Sequence, residues 1–448
     1  MNMRMLLWLA LSTLWLVGTL PGQSYSGDAR RIAMGGVGYS ENIATRMIED
    51  ERPYTSIVLP VGLIQLLRYR NRFDPDDDNF DPVLAMEYAA NPLHYVFGRD
   101  PSGNRSRFVE DAVNGELSRD LNRYRGFKPT NSLTAEGLAS PNWGKTFKFA
   151  KRPDGAFQGF YLGAGPYLSA RTALSTDKGL TDILGSASPV PSASLANRSF
   201  SIANASIGQI ALAITGGYRA RIALPGRSGR DGVYVGANYH YLRGFRYEDA
   251  NIVVRFDTDQ AGLLTVRPTT APAAVDYKYA RSGTGYAVDV GLASVVDRLE
   301  LGFGANGLGN RIDWKNLSLR RYTLRSLVEG GDFVEQKLPS PASKLRMELP
   351  VDYTGSGAYH WTNVSAVAEV TRGFQGTRVH SGLEFRLGRI EFRGGARYSL
   401  DKWHPAGGIG LNLSERVSLD VAAFGSTTNI ERELRPAIAL SLRINRLR

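Results

Sequence analysis

Cysteine is absent from this 448-residue chain, which excludes disulfides, Cys-ligated metals and a lipid carried on an N-terminal thiol. Histidine is scarce. None of His94, His240, His360, His380 and His404 stands in a paired metal-binding spacing such as HExxH. Beyond residue 20 no apolar run is long enough for a helix to cross a bilayer. Acidic residues are outnumbered by basic ones, leaving a net charge of +11. The arginines are scattered through alternating segments rather than gathered in a basic patch with interleaved aromatics, so no nucleic-acid partner is expected. Lumenal and rim arginines facing anionic lipopolysaccharide account for the excess more simply.

The start of the chain sets the expected compartment. Met1-Asn2-Met3-Arg4, the apolar run Met5 to Leu20 and the exit Pro21-Gly22-Gln23-Ser24 have the three parts of a secretory signal peptide, expected to span 1–24.

The clearest periodicity lies at the other end. Val379, Leu383, Phe385 and Leu387 alternate with His380, Gly382, Glu384 and Arg386, and Ile390, Phe392, Ala396 and Tyr398 alternate with Glu391, Arg393 and Arg397. Similar period-two segments run over Ile409 to Leu413, Val417 to Ala423 and Ile438 to Ile444, which reads as successive half-buried strands. A packed sandwich core could not hold Glu384, Arg386, Glu391, Arg393 and Arg397 unpaired, whereas a wet barrel lumen can. Short turns at Gly388-Arg389 and Ser414-Glu415 alternate with expected longer loops over Asp401 to Ala406 and Ser426 to Pro436, as a transmembrane barrel requires. Upstream, strands are expected from Trp143 onward, with long connections at 174–202, 247–283 and 309–348. One further strand before Trp143 brings the count to about 14, and hairpins within the long gaps would raise it to about 16.

The fold class expected is therefore all-β, a transmembrane antiparallel β-barrel over 143–448 with an N-terminal plug or hatch segment over 25–142 that includes a short helix near Arg107 to Tyr124. A small periplasmic domain is the alternative for that segment. Gly35-Gly36-Val37-Gly38 is not a nucleotide loop, since no Lys-Ser/Thr follows; its expected role is to let the backbone turn closely against a wall. The run Asp74 to Asp81 lacks the central Gly and terminal Glu of an EF-hand loop, so it reads as a solvated acidic loop. No metal or cofactor is expected. Tyr239, Tyr241, Phe245, Tyr247, Trp314, Trp361 and Trp403 fall near expected strand ends, where interfacial girdle residues belong.

Several of these segments carry a family resemblance. Asp28-Ala29-Arg30-Arg31-Ile32-Ala33-Met34-Gly35-Gly36 resembles the "AR-x-x-x-MGG" opening of FadL-type outer-membrane transport proteins and their PorV-like and TraF-like relatives. Val288 to Leu292 followed by Gly302 to Leu308 is similar to the family's "DLG … G … NLG" hairpin, and Ser381 to Phe385, Phe392 to Gly395 and Gly407 to Leu411 are similar to its "GLEY … LRAG … GLG" run. The chain departs from the family in lacking Asn-Pro-Ala soon after the MGG turn and in ending on Leu447-Arg448 rather than an aromatic. The resemblance implies a plugged barrel in the bacterial outer membrane, not an enzyme, that carries hydrophobic or amphipathic small molecules.

Apolar cargo would meet Ile57, Leu59, Leu63 and Leu66 of the plug. Outer-membrane lipids and lipopolysaccharide are expected partners. Two other functions fit the same pattern. One is a non-conducting assembly or secretion component with an envelope-protein partner. The other is a lumenal lipid hydrolase, which requires a Ser across a strand pair from His240 or His360.

Overall fold

The period-two pattern becomes one antiparallel sheet. A computed structural model of the chain describes residues 28–36, 42–49, 54–69, 84, 93–98, 121, 131–139, 143–225, 229–265, 274–324, 333–339, 343–373, 376–399, 401–427 and 433–445. The expected leader, the acidic run 74–81 and all of the expected helix 107–124 except Leu121 lie outside these residues.

Among the described residues the sheet has 21 strands. Those of the first half are β1 (Tyr54–Leu59), β2 (Tyr95–Val96), β3 (Ser132–Ala139), β4 (Trp143–Lys151), β5 (Phe157–Thr176), β6 (Ser199–Ala223), β7 (Gly232–Thr258), β8 (Leu264–Thr265), β9 (Ala274–Ala280), β10 (Ser282–Val296) and β11 (Leu299–Lys315). Those of the second half are β12 (Ser318–Leu324), β13 (Phe333–Leu338), β14 (Lys344–Glu348), β15 (Asp352–His360), β16 (Val364–Gly373), β17 (Gly376–Leu387), β18 (Ile390–Ser399), β19 (Lys402–Asn412), β20 (Val417–Ser426) and β21 (Arg435–Asn445). Short helices are α1 (Ala29–Ala33), α2 (Ile43–Glu49), α3 (Gly62–Arg68) and α4 (Lys178–Gly185). None is long and apolar enough to cross a membrane.

The wall is an up-and-down meander. β5, β6, β7, β10, β11 and β15 pair in that order, and each strand from β15 to β21 pairs with the next. β1 adds to the far side of β21, while β3 and β4 lie end to end along β5 as one interrupted edge strand. Among the described residues no pairing joins β1 to β3 or β4, so the sheet is open along that seam. β9, β12 and β13 continue sideways from the upper half of β7 as an extension beyond the wall.

The sheet is strongly curved. β5 and β11 are separated by β6, β7 and β10, roughly 19 Å along a flat sheet at the usual strand spacing. Yet Asn310 of β11 donates a 2.6 Å hydrogen bond to the Tyr167 hydroxyl of β5. Only a wall curled about that face brings them together.

Burial is inverted relative to a water-soluble domain. Along β17, Leu383 and Phe385 are 57% and 44% exposed, whereas Glu384 between them is 1% exposed and His380 is also 1%. Across the register, Glu384 opposes Arg393 and Ser365, and all three point to the concave side. Exposed Phe160, Ile214, Tyr241, Leu292, Phe303, Tyr353, Phe392 and Ile409 continue the apolar outer face around the wall. An outside of this kind, exposed to water, would be a large aggregation-prone patch; against acyl chains it is the required solvent match, with paired ladders satisfying the backbone everywhere but the open seam. The fold is that of a transmembrane β-barrel wall.

The connections depart from expectation in more than one place. β19 already begins at Lys402, so Asp401 to Ala406 is not a loop: Asp401, with φ +59°, makes a tight turn and the alternation resumes at once. Trp403 is 57% exposed and His404 2%. Pro405 pairs with Ala396 inside the strand, so this polar stretch is strand rather than loop. The long connections are concentrated between β5 and β15, where β6 and β7 reach 25 and 27 residues. There α4, N-capped by Asp177 through Gly179 N–H at 2.7 Å, buries Leu180, Ile183 and Leu184 against Leu195 and Phe200. The expected connection 309–348 instead holds the extension of β11 to Lys315, followed by β12, β13 and β14.

Candidate functional site: a divided lumen and its N-terminal insert

The concave face is divided by chemistry. Toward the short-turn end of β17 to β21 it is charged, while at the same end of β5, β7 and β10 Phe157, Tyr234, Ala293 and Val295 pack against α2. Arg393 is fully buried and donates to Glu384 at 2.8 Å, to Asp420 at 2.7 Å and to Glu391. Arg443 reaches Glu391 at 2.7 Å and lies 3.5 Å from Asp420. Arg386, half exposed at the rim, completes the cluster on Glu384 at 2.7 Å. Arg397 is also buried on this face, in register with His380 and His404. Acids and guanidiniums interleave across β17, β18, β20 and β21, so no carboxylate of the cluster is buried without an opposite charge.

One member of the cluster comes from far away in sequence. Arg30 of α1 donates to Glu384 at 2.8 and 3.1 Å. The Ala29 N–H donates to the Ser441 hydroxyl at 3.1 Å, and Asp28 caps the helix through Arg30 N–H at 2.9 Å. α1 therefore sits on the concave face against β18 to β21. Gly35, at φ +76°, turns so close to the wall that a Cβ there would lie 2.5 Å from the carbonyl oxygens of Ser381 and Ala396. The wall is cut back to receive it: a Cβ on Gly395 would lie 2.4 Å from the Met34 carbonyl carbon. α2 packs in the same way on β7, β10 and β11, where a Cβ on Gly291 would lie 2.4 Å from Asn42 Oδ1.

On β5 to β11 and β14 the long-loop part of the concave face carries an apolar cluster, while on β17 to β19 it holds Arg378, Arg397, Ser399 and His404. Tyr167, Ala211, Ala213, Leu242, Ala287, Ile312 and Trp314 form one buried cluster, with Leu345 and Met347 packed against it. Trp314 lies against Gly244 and Gly283 of the wall and donates its indole N–H to Gln209 at 3.1 Å. Both the Tyr167 hydroxyl and the Trp314 indole N–H have partners, and the side chains of the cluster pack closely on one another, none more than 4% exposed.

Two histidines of the concave face have side-chain partners on facing strand positions. His240 lies between the Thr215 hydroxyl at 2.8 Å and Asp289 at 2.6 Å, and Asp289 also accepts the Gly307 N–H at 2.8 Å. His360 lies 3.0 Å from the Ser365 hydroxyl and 3.3 Å from Glu300, which is also paired with Arg230 at 3.1 Å. Among the described residues no group of three or more His, Asp or Glu side chains is placed to hold a metal ion.

The sequence-expected site residues are dispersed. Glu384, Glu391, Arg393 and Arg397 lie buried on the concave face and Arg386 at its rim. Ile57 and Leu59 belong instead to the outer face: their register partners are Leu442 and Leu440, opposite in parity to the inward Ser441 and Arg443. The correction follows from β1 being an edge strand of the wall, where alternate residues face lipid. Leu63 is exposed on α3, and the Leu66 side chain lies outside the described residues. Tyr247 and Trp314 are corrected in the opposite sense, being buried inside at 1% and 0% exposure, while Tyr239, Tyr241, Phe245, Trp361 and Trp403 do face outward. The apolar lumen was therefore missed, although Ile312 and Trp314 flanking the outward Asp313 carried its signal.

These features define an antiparallel β-barrel wall of the outer-membrane type, with an insert from its own N-terminal region on the concave face. No protein-family model and no curated protein sequence matches the chain. Among solved structures it is similar to the Ralstonia pickettii toluene transporter TbuX, at 10% identity and a TM-score of 0.31 over 73% of this chain and 92% of that one. The Pseudomonas putida toluene transporter TodX gives 12% identity and a TM-score of 0.28 over 75% and 94%. A Rhodopseudomonas blastica porin triple mutant gives 9% and 0.22 over 53% and 92%. At such values the likeness carries nothing about cargo, and the barrel assignment rests on strand register and inverted burial.

Proposed function

We propose that this chain resides in a bacterial outer membrane and takes up a hydrophobic or amphipathic small molecule through the long-loop end of its lumen. The observation that supports this most directly is the buried apolar cluster of Tyr167, Leu242, Ile312 and Trp314 on the concave side, which a hydrophobic guest would have to part in order to enter. Each methylene that leaves water for such a cluster gains about 0.8 kcal/mol, so a medium-length chain or an aromatic ring would be held without any charged contact. The FadL-type resemblance of the 28–36 and 381–411 segments points the same way. The test is uptake of a labelled fatty acid or monoaromatic hydrocarbon by cells lacking other carriers, with and without this chain. Lower uptake on deletion supports the reading, and unchanged uptake contradicts it.

A second reading has its own observation. The pairing of Arg30 with Glu384 and the glycine seats at Gly395 and Gly291 anchor α1 and α2 on the concave face, which suits a non-conducting assembly component. Native mass spectrometry after mild detergent extraction separates the two: bound lipid or hydrocarbon favours a carrier, and a bound envelope protein favours an assembly role.

A further inference from the structure

The outer face of β10, β11 and β14 carries a feature that the lumenal reading does not use. The register sets three rungs there, two residues apart. The first holds Tyr241, Tyr286, Arg311 and Glu348; the second holds Arg243, Thr284, Asp313 and Arg346; the third holds Ser282, Lys315 and Lys344. All three lie at the long-loop end. Below them the same face is apolar, with Val290, Leu292, Leu301 and Phe303 exposed. At the boundary Tyr239 and Tyr286 stack at 6.1 Å, and the Arg311 guanidinium sits 4.7 Å over the Tyr286 ring.

Two details set this patch apart from scattered surface charge. Asp313 is already taken by Arg346 at 2.7 Å, so among the described residues of these rungs Glu348 is the one other acid beside Arg243, Arg311, Lys315 and Lys344. Moreover, Lys315 and Lys344 are direct cross-strand partners, and both are exposed. Like charges directly opposite one another destabilise a strand pair. An anion between them removes that penalty and gains charge-assisted hydrogen bonds.

We propose that this patch binds a phosphorylated lipid of the outer leaflet. Its phosphate lies between Lys315 and Lys344, with Arg311 and Arg243 beneath, and its acyl chains run down over Tyr286, Tyr239, Leu292 and Phe303. The match is amphipathic as well as electrostatic, since the cations stand directly above the aromatic boundary and the apolar band. The inference rests on the membrane-wall reading of the outer face.

The test uses the full chain in non-ionic micelles, titrated with diphosphoryl lipid A and with the same lipid freed of phosphate. The double variant Lys315→Gln/Lys344→Gln is compared with Arg298→Gln/Arg389→Gln, which removes the same charge from exposed turns at the opposite end. Because each juxtamembrane cation contributes about 1 kcal/mol toward anionic lipid, the first variant is expected to bind the diphosphoryl form about tenfold or more weakly. The second variant is expected to bind like the parent, and the phosphate-free lipid is expected to show no difference among the three. Equal loss in both variants, or equal binding of the two lipids by the parent, overturns the site. If the parent chain stays soluble without micelles, the wall reading fails with it; if it requires micelles and discriminates nothing, the site alone fails.

Discussion

Arg30 and Glu384 stand 354 positions apart in the chain and meet through two hydrogen bonds of 2.8 and 3.1 Å. The contact ties the beginning of the described chain to a strand near its end, in a region where Glu384 has no exposure to solvent. Breaking a buried pair leaves an uncompensated charge, which commonly costs about 3–5 kcal/mol. Glu384→Ala removes the carboxylate that Arg30, Arg386 and Arg393 share, leaving Arg393 to Asp420 and Glu391 alone, and is expected to lower the temperature of the heat-induced mobility shift on a semi-native gel. Arg30→Ala is expected to do so less, because Arg393 and Arg386 still face Glu384.

The glycine seats predict a permeability change. Gly395→Leu forces a side chain into the position held by Met34 and Gly35, so α1 must leave the wall or the wall must deform. Liposomes containing this variant are expected to swell faster in a small sugar than those containing the parent. Equal swelling would mean that the insert does not limit passage.

The apolar lumen predicts a selective loss of affinity. Trp314→Ala removes a fully buried indole from the cluster with Tyr247 and Ile312. Large-to-small changes of this type cost about 3–5 kcal/mol in a packed core. Binding of a hydrophobic fluorophore is expected to weaken in step with the chain length of a competing fatty acid, whereas Trp403→Ala on the outer face is expected to leave it unchanged. Equal effects from both variants would remove the lumenal site.

The extension beyond the wall predicts an acid response. Two hydrogen bonds from Arg321 hold the Asp276 carboxyl below the usual carboxylate range. Such a group contributes stability above its unfolded pKa of about 3.9 and loses it as pH falls through its lower folded value. The protection factors of the β9 amides, taken against the intrinsic exchange rate at each pH, are therefore expected to fall between about pH 5 and about pH 2, and Asp276→Asn is expected to flatten that dependence. An identical profile in the variant would show that the pair does not hold the strand.

The Ser365 hydroxyl near His360 allows a direct trial of the hydrolase alternative. Ser365→Ala is expected to leave phospholipid and lipopolysaccharide turnover unchanged from the parent. A loss of measurable deacylation in that variant would favour an enzyme.

Much of the wall was readable in the chain because alternation is local. In β17 and β18 each charged residue is flanked by apolar ones, and a period of two needs no tertiary information. Ile57, Leu59, Tyr247 and Trp314 were misassigned for the complementary reason. Parity states that neighbours face opposite sides, but which side is inside depends on what the strand pairs with. β1 pairs with β21 across almost the whole chain, and the upper lumen reverses the usual polarity by turning Ile312 and Trp314 inward. The Arg30 network was beyond local reading as well, since its members lie on α1, β17, β18, β20 and β21.

The absence of cysteine allows the central claim to be measured one residue at a time. Single cysteines placed at Leu383 and Arg397 can be spin-labelled in the protein reconstituted into bilayers, and their collision rates with oxygen and with a water-soluble nickel complex compared. The account predicts high oxygen and low nickel accessibility at position 383, with the reverse or mutual protection at 397. Lipid-like accessibility at 397, or aqueous accessibility at 383, would contradict it.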